Sequence, residues 1–477
     1  MDTELDLSRL LETQRKAFAD DPLPGLNTRI GRIERLLEMA RKNARAIAEA
    51  ISADFGNRSP YETLVSELMQ LESAVRHTRR HLGRWMRPRR RPTGLLYFPA
   101  SNVLQPQPLG VVGVIGAWNY PFQLSVEPAM EALAAGNRVM IKTSELAPRF
   151  AALLAQLVRE TFDESLLTVI EGDAAVAAAF AALPFDHLLF TGSTRVGRLV
   201  AEAAARNLTP VTLELGGKSP AIIDRDCDVD QAARRIVWGK LLNAGQTCVA
   251  PDYLLVPQEC EERVVEALQN AIAAYYPKLA DNPDYTSIVN TAHFERLHAL
   301  LDDARKQGAR VIEVNPATET LAPEKRKMAP TLVTGVTDDM RLMQEEIFGP
   351  ILPILGYEGF DAALGYINRH DRPLALYWFG KDARNRQRIL EGTHSGGVTI
   401  NDCLLHLSQE SQPFGGIGPS GSGHYHGEWG FNTFSKLKPV FIQSRWNGMS
   451  LVAPPFGKLM QKLFERFSGT SGQSKNG

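Results

Sequence analysis

The chain has 477 residues, 44% of them hydrophobic, and its 53 basic and 54 acidic side chains leave a formal charge of −1. That length predicts two or three packed units with a large core, and the neutral balance argues against nucleic acid or an anionic membrane as a partner, leaving small ligands open. Four cysteines, Cys227, Cys248, Cys260 and Cys403, lie far apart without a CxxC pair, so spacing signals neither a disulfide framework nor a zinc site and free thiols are expected.

The opening stretch MDTELDLSRLLETQRKAF is acidic and amphipathic. It lacks the basic and apolar regions of a secretory signal, so a cytoplasmic location is expected. No stretch reaches the roughly 18 apolar residues of a spanning helix. Residues 1 to 90 read mainly as helix, because IGRIERLLEMARKNARAIAEAISADF and ETLVSELMQLESAVRHTRRHL repeat apolar residues at three and four. These helices read as packing scaffold. The basic run RRHLGRWMRPRRRPTG at 79 to 94 stands alone in a neutral chain and is read as a solvated face before a linker rather than a nucleic-acid patch.

From LGVVGVIGAW (109 to 118) the pattern changes to short β-branched runs alternating with Ala-rich helical segments. VMIK (139 to 142), LTVIEG (167 to 172) and HLLFTG (187 to 192) are the clearest strands, and the rhythm implies a parallel sheet covered on both faces. A second series after TLELGG (212 to 217), with AIIDRD, YLLVP, RVIEV and GGVTIND, predicts a second α/β domain. The Gly/Ser-rich end SGTSGQSKNG is expected to fray.

Several motifs carry little chemistry by themselves. GVVGVIG (110 to 116) does not fit the GxGxxG fingerprint. FTGSTRVG runs a strand into a turn that opens a helix, which suits a phosphate and suits an ordinary capped turn equally. LGGKS (215 to 219) is not a P-loop, because Thr212 stands where the leading glycine belongs, and GPSGSG (418 to 423) lacks the last glycine of a nucleophile elbow. His424 and His426 are close in GSGHYHGEWG, but the spacing shows no further ligands and no metal site is expected.

Cys248 sits in LLNAGQTCVA, after Gly-Gln-Thr and before Val-Ala-Pro. A turn of that kind exposes a sulfur that a core cysteine hides. A lone cysteine is inert without partners. Glu214 ends a strand before two glycines, and Asn119 in WNYPF lies on the loop after another strand. An acid, an amide and a thiol at such loops supply acyl chemistry on a carbonyl.

Taken in order, GAWNYPF, IKTSE, FTGSTRVG, LELGGKSP, NAGQTCVAPD, QEEIFGPILPI, GGVTIND and QPFGGIGPSGSG resemble the aldehyde dehydrogenase superfamily from the first helices to about residue 445. The short N-terminus, the Tyr of WNYPF, the Thr before Cys248 and the late YHG resemble its class 3 branch and, within that branch, bacterial coniferyl aldehyde dehydrogenases. One departure is KTSE where relatives read KPSE, so that Thr143 replaces a proline.

The resemblance implies an α/β aldehyde dehydrogenase fold. A Rossmann-like NAD(P)-binding domain would span 1–97 and 109–213 with a late segment near 406–429, and a catalytic domain 214–405. An oligomerisation arm would comprise 98–108 and 430–445, followed by a tail at 446–477. It makes Cys248 the nucleophile, Glu214 the base that activates water, and Asn119 an oxyanion donor with the Cys248 N–H. It places Lys142 and Glu145 at the adenosine ribose, Gly192 and Ser193 near the pyrophosphate, and Glu346 with Phe348 at the nicotinamide. Tyr61, Tyr120, Phe414 and His426 would line the acyl pocket. NAD is the implied cofactor, with NADP also accepted, and a homodimer the implied assembly. Coniferyl aldehyde or related aromatic and medium-chain aldehydes are the implied substrates, with broad-specificity detoxification as the alternative. Glu214 argues against transfer to coenzyme A, and the intact set of Asn119, Glu214 and Cys248 argues against an inactive structural relative.

Overall fold

The computed structural model describes residues 2–448 and 453–469. Most of the Gly/Ser-rich end expected to fray, residues 470–477, lies outside the described residues, as do 449–452 of the expected tail. The chain divides into two units, one formed by residues 1–82 and 108–435, the other by 83–107 and 436–477.

The larger unit contains two sheets. In the six-stranded sheet the strands run in the order Gly421–Ser422, Val211–Glu214, His187–Thr191, Val111–Ile115, Arg138–Lys142 and Leu167–Ile170. All pairings are parallel except that of Gly421–Ser422 with Val211–Glu214. The central strands are buried along their whole length, as β-branched runs covered by helices on both faces must be. Leu7, Leu10 and Leu11 of the Asp2–Asp20 helix pack into the same core as Val111, Met140 and Leu188. The chain lays strands to one side of Val111–Ile115 and then crosses to the other. That reversal opens a crevice at the carboxyl ends of Val111–Ile115 and His187–Thr191, where ligands of such sheets bind.

The seven-stranded sheet runs Arg310–Glu313, Thr331–Thr334, Ile351–Tyr357, Tyr253–Pro257, Pro220–Ile223, Ala375–Phe379 and Gly397–Ile400. Only the Arg310–Glu313 edge is antiparallel. Its core includes Ile222, Leu255, Ile351, Leu376 and Trp378. Glu214 closes a strand of the first sheet, and Pro220 opens a strand of the second after five residues.

The helices at the start of the chain form as the periodicity predicts, over Leu26–Lys42, Ala44–Phe55 and Met69–Trp85. They do more than scaffold. Leu64–Leu68 is a π-helical turn, a widened form common beside functional sites. From it Glu67 reaches the buried helix Gln123–Ala135 and accepts hydrogen bonds from the amides of Phe122 (2.8 Å) and Gln123 (3.1 Å). A carboxylate supplied from another segment thus satisfies donors that a helix start leaves open. Its other oxygen meets Arg58 Nη1 at 2.9 Å, with both side chains fully buried. The Arg58 guanidinium is sandwiched near the rings of Phe55 and Tyr120, 5.4 and 4.9 Å from their centres. Breaking a buried pair by removing one partner typically costs about 3–5 kcal/mol, so this contact holds the WNYPF loop firmly.

In the smaller unit, Arg89–Arg91 pairs antiparallel with Ser101–Pro108 in a three-stranded sheet completed by Ser435–Ile442. The basic run read as a solvated stretch before a linker therefore includes an edge strand. Charged side chains are one way that exposed sheet edges avoid further pairing. Lys458–Phe467 forms an exposed helix. No helix among the described residues is long and apolar enough to cross a membrane.

Candidate active site

Cys248 is held by a turn fixed at both ends. After the Val229–Leu241 helix, Asn243, Ala244 and Gly245 all take positive φ. At Gly245 (φ 78°) any Cβ would lie 2.3 Å from the Gly349 carbonyl oxygen, so only glycine fits. The Gln246 side chain donates to the carbonyls of Asn243 (3.0 Å) and Ser287 (3.1 Å) and accepts from the Val289 amide (2.9 Å). Asn243 donates to the Asn119 carbonyl at 3.0 Å, and its own amide donates to Glu62. Beyond the cysteine, Tyr377 Oη donates to the Val249 carbonyl at 2.5 Å. The half-buried Cys248 thus sits on a rigid turn just before the Tyr253–Pro257 strand, at the amino edge of the seven-stranded sheet.

Asn119 reaches the same turn from the other sheet. Its side-chain amide donates to the Gln246 carbonyl at 3.1 Å, and its own carbonyl accepts from Arg58 at 3.1 Å. An amide nitrogen carries two hydrogens, so one remains for a ligand oxygen. Glu214 is 3% exposed and neither carboxylate oxygen has a hydrogen-bond partner. Burial pushes its pKa well above the usual carboxylate range.

The thiol feels the same environment. Burial first, then the neighbouring carboxylates of Glu346 and Glu214, push Cys248 up to about 12, against a pull from the backbone N–H groups of Cys248 and Val249. Glu346 is itself pushed up to about 8 by burial and by Asp252. Its carboxylate packs against Gly216, where an added Cβ would stand 2.1 Å from Oε2. Cys248, Glu214, Glu346 and Asn119 therefore converge between the carboxyl edge of one sheet and the amino edge of the other.

Cys248 opens on a cleft of about 460 Å³. Tyr61, Tyr120, Phe414 and His426 all line it. Tyr61 is 72% exposed at the mouth, whereas Tyr120, Phe414 and His426 are buried. Tyr120 Oη lies 2.6 Å from Thr247 Oγ1, beside the cysteine. His426 stacks on Phe414 with ring centres 5.5 Å apart. Trp238, Leu404, Leu405 and Tyr425 add apolar wall, and Glu62, Val65, Ser66 and Gln70 come from the N-terminal helices.

Of the expected dinucleotide residues, Lys142, Glu145, Gly192 and Ser193 lie along the carboxyl edge of the six-stranded sheet, whereas Glu346 and Phe348 precede the Ile351–Tyr357 strand of the other sheet. Gly192 and Ser193 follow the His187–Thr191 strand, and Ser193 caps the Thr194–Ala205 helix. Open amides at that helix start suit a phosphate, and Thr191 Oγ1 nearby is buried without a partner. Lys142 ends its strand with Nζ donating to the carbonyls of Thr143 and Gly172, while Glu145 is exposed. Thr143 donates its amide to the Ile170 carbonyl at 3.2 Å. A proline at 143 could not make that bond. Phe348 takes φ 52° and packs edge-on to Trp118 with ring centres 5.3 Å apart. Carbonyl, helix-start and aromatic elements thus form a cradle compatible with a dinucleotide.

Sequence reasoning missed Arg58, Gln246 and Arg296. Arg296 donates to the carbonyls of Glu346 (3.2 Å) and Ile347 (2.5 Å) and so shapes the Glu346–Phe348 turn. Arg58 and Arg296 lie in no motif whose spacing announces chemistry, and Gln246, though inside NAGQTCVAPD, carries no local sign of its bonds to Ser287 and Val289. The four cysteines are free thiols.

The sequence model of the Aldehyde dehydrogenase family matches residues 3–440. A relative from Pseudomonas aeruginosa called "Probable coniferyl aldehyde dehydrogenase" is 50% identical over 457 residues, covering 96% of this chain and 95% of its own. The structure "Substrate bound state of Staphylococcus Aureus AldH" superposes with a TM-score of 0.90 at 37% identity, over 96% of this chain and 99% of that one. "Crystal structure of Mycobacterium tuberculosis aldehyde dehydrogenase complexed with NAD+" gives a TM-score of 0.83 at 28% identity, over 93% and 91% of the two chains.

Because only thiolate reacts, the raised Cys248 pKa fixes the direction of its pH dependence. In the cofactor-free protein, alkylation of Cys248 should be slow at neutral pH and still climbing at about pH 10, where a free cysteine of pKa about 8.5 has levelled off. Peptide mapping after timed iodoacetamide treatment separates this thiol from the other three. A plateau already reached near about pH 8 would show that the resting site holds thiolate.

Proposed function

The chain belongs to the aldehyde dehydrogenase family and oxidises aldehydes, and from that premise we propose that Cys248 is its nucleophile and that its acyl cleft takes coniferyl aldehyde or a related aromatic aldehyde. The observation that carries this reading is the half-buried thiol on a pinned turn, opening on an aromatic cleft with Asn119 and Glu214 beside it.

In this mechanism the Cys248 thiol gives its proton to solvent, the thiolate sulfur adds to the carbonyl carbon, and the carbonyl π electrons move to oxygen. The free N–H of the Asn119 amide and the Cys248 backbone N–H donate to that oxygen as charge develops. Losing one such donor typically costs about 10²–10³ in rate. NAD(P)+, when bound, supplies a positively charged ring that accepts the hydride from carbon. Lys142 and Glu145 would hold the adenosine ribose, Gly192 and Ser193 the pyrophosphate, and Glu346 with Phe348 the nicotinamide end. The exposed Glu145 carboxylate repels a 2′-phosphate and favours NAD over NADP.

Loss of hydride leaves an acyl thioester on Cys248. Glu214 takes a proton from water, the resulting hydroxide adds to the acyl carbon, and the sulfur leaves as thiolate. A carboxylate whose burial raises its pKa is a stronger base once ionised. Water is therefore the acyl acceptor rather than coenzyme A.

Tyr120, Phe414, Tyr425 and the imidazole of His426 provide flat faces for a conjugated ring, and Tyr61 extends the wall outward. Such a lining prefers a phenylpropenal over a flexible chain without excluding the latter, because a methylene is worth only about 1–3 kcal/mol in an apolar pocket. The smaller unit, with Tyr97, Phe98, Phe441 and Ile442 exposed, is the arm through which two copies would associate as a cytoplasmic homodimer. Light scattering that gave a monomer would remove that assignment.

Two variants separate the half-reactions. Cys248→Ala should keep its fold by circular dichroism and lose aldehyde-dependent reduction of NAD by at least about 10⁴-fold. Glu214→Gln should release one burst of reduced cofactor and then accumulate acyl-enzyme, seen by intact mass as the added acyl group. Steady turnover by Glu214→Gln with no adduct would remove it from the base role. For the substrate, specificity constants for coniferaldehyde, benzaldehyde, hexanal and decanal with each dinucleotide should rank coniferaldehyde with NAD first. A lead for decanal would favour broad detoxification instead.

A further inference from the structure

The neutral total of the chain hides an uneven distribution of charge. Residues 83–107 hold five arginines and no acidic residue, and in 436–477 seven basic residues stand against Glu465 alone. These two segments make up the smaller unit. That unit is therefore strongly cationic, and the excess of acid resides in the larger one.

The same unit carries the helix Lys458–Phe467, ten residues reading KLMQKLFERF. Leu459, Leu463 and Phe467 recur every four residues, as do Met460 and Phe464, so all five apolar side chains share one stripe. Lysine, glutamine, glutamate and arginine occupy the other face. None of these side chains is buried. Phe464 is 71% and Phe467 94% exposed, and Phe456 just before the helix and Trp446 are exposed as well. So short a helix gains little from its own hydrogen bonds in water and depends on burial of its apolar stripe. The described residues do not supply that cover.

Charge selects what does. Nucleic acid would pair with the cations and leave five apolar side chains in water. Self-association of the helix would bring Lys458, Lys462 and Arg466 of two copies together in a unit that is already cationic. An anionic bilayer suits both faces: the stripe enters the boundary between headgroups and acyl chains, while the lysines and Arg466 run their aliphatic stems outward and set their charges among lipid phosphates. The other cations of the unit add long-range attraction to the same surface. At about 15 Å the helix reaches only half of the roughly 30 Å hydrocarbon layer, so it lies in the interface and does not span.

We propose that Lys458–Phe467 is an amphipathic anchor that docks the protein, peripherally and reversibly, on an anionic lipid surface. The apolar stripe provides insertion, and the cations select the lipid charge.

The test uses the full chain and sucrose-loaded vesicles of phosphatidylcholine, alone or mixed with phosphatidylglycerol, separated by sedimentation. The protein should sediment with the mixed vesicles, stay in solution with phosphatidylcholine alone, and be released in part as added salt screens the surface charge. The paired substitutions Phe464→Glu with Phe467→Glu should weaken binding about tenfold or more, as should Lys462→Gln with Arg466→Gln. Both variants should oxidise aldehydes at the wild-type rate in vesicle-free buffer, because the helix contributes nothing to the lining of the cleft. Failure of the wild-type chain to bind the mixed vesicles overturns the proposal. So does undiminished binding by the phenylalanine variant, which would assign attachment to the arginines of the Arg89–Arg91 strand. Binding of a DNA duplex in place of vesicles, or loss of self-association by the phenylalanine variant without any vesicle binding by wild type, would overturn it in favour of those occupants.

Discussion

The site depends on one constraint, the immobility of the turn from Asn243 to Val249. Its backbone is bent through three consecutive positive φ values, a conformation that non-glycine residues adopt at a cost and keep only when their surroundings over-determine it. Here the surroundings do. Gln246 is bonded at both ends of its amide, Asn243 ties to the WNYPF loop, and Tyr377 grips the carbonyl after Cys248. The Arg58–Glu67 pair then fixes the WNYPF loop itself. A nucleophile must lie within a few tenths of an ångström of its working position, and this network supplies that precision through packing rather than through the cysteine's own contacts.

The second consequence concerns charge. Glu214, Glu346 and Cys248 share a small, poorly hydrated volume, where burial disfavours ionisation of each and the two carboxylates further disfavour that of the thiol. In the absence of a positive ligand the thiol is held in its unreactive form. This arrangement spares a cysteine that opens on a cleft from oxidation, since thiolate rather than thiol is oxidised.

Much of the aldehyde dehydrogenase fold was legible in the sequence. The strands at VMIK, HLLFTG and YLLVP are uninterrupted apolar runs, and a parallel sheet buried on both faces leaves that signature. Asn119 and Glu214 were visible because each follows or ends such a run, and Cys248 because it sits in a polar turn ahead of one. The roles of Arg58 and Gln246 were not, because their partners lie 61 and 43 residues away, even though Gln246 stands in the same turn as Cys248. The arginine-rich edge strand escaped because strand formation there comes from pairing with Ser101–Pro108, not from β-propensity.

The short strand Gly421–Ser422 covers the edge of the six-stranded sheet, pairing Gly421 with Glu214 while the Leu215 amide donates to the Ser420 carbonyl. During synthesis that edge stays open until more than two hundred further residues have left the ribosome, so the growing chain carries an unpaired strand. The carboxylate it bears is sealed in place only when this late segment arrives. Assembly of the reactive centre is thus tied to near-completion of translation, and partial products have their working parts dispersed.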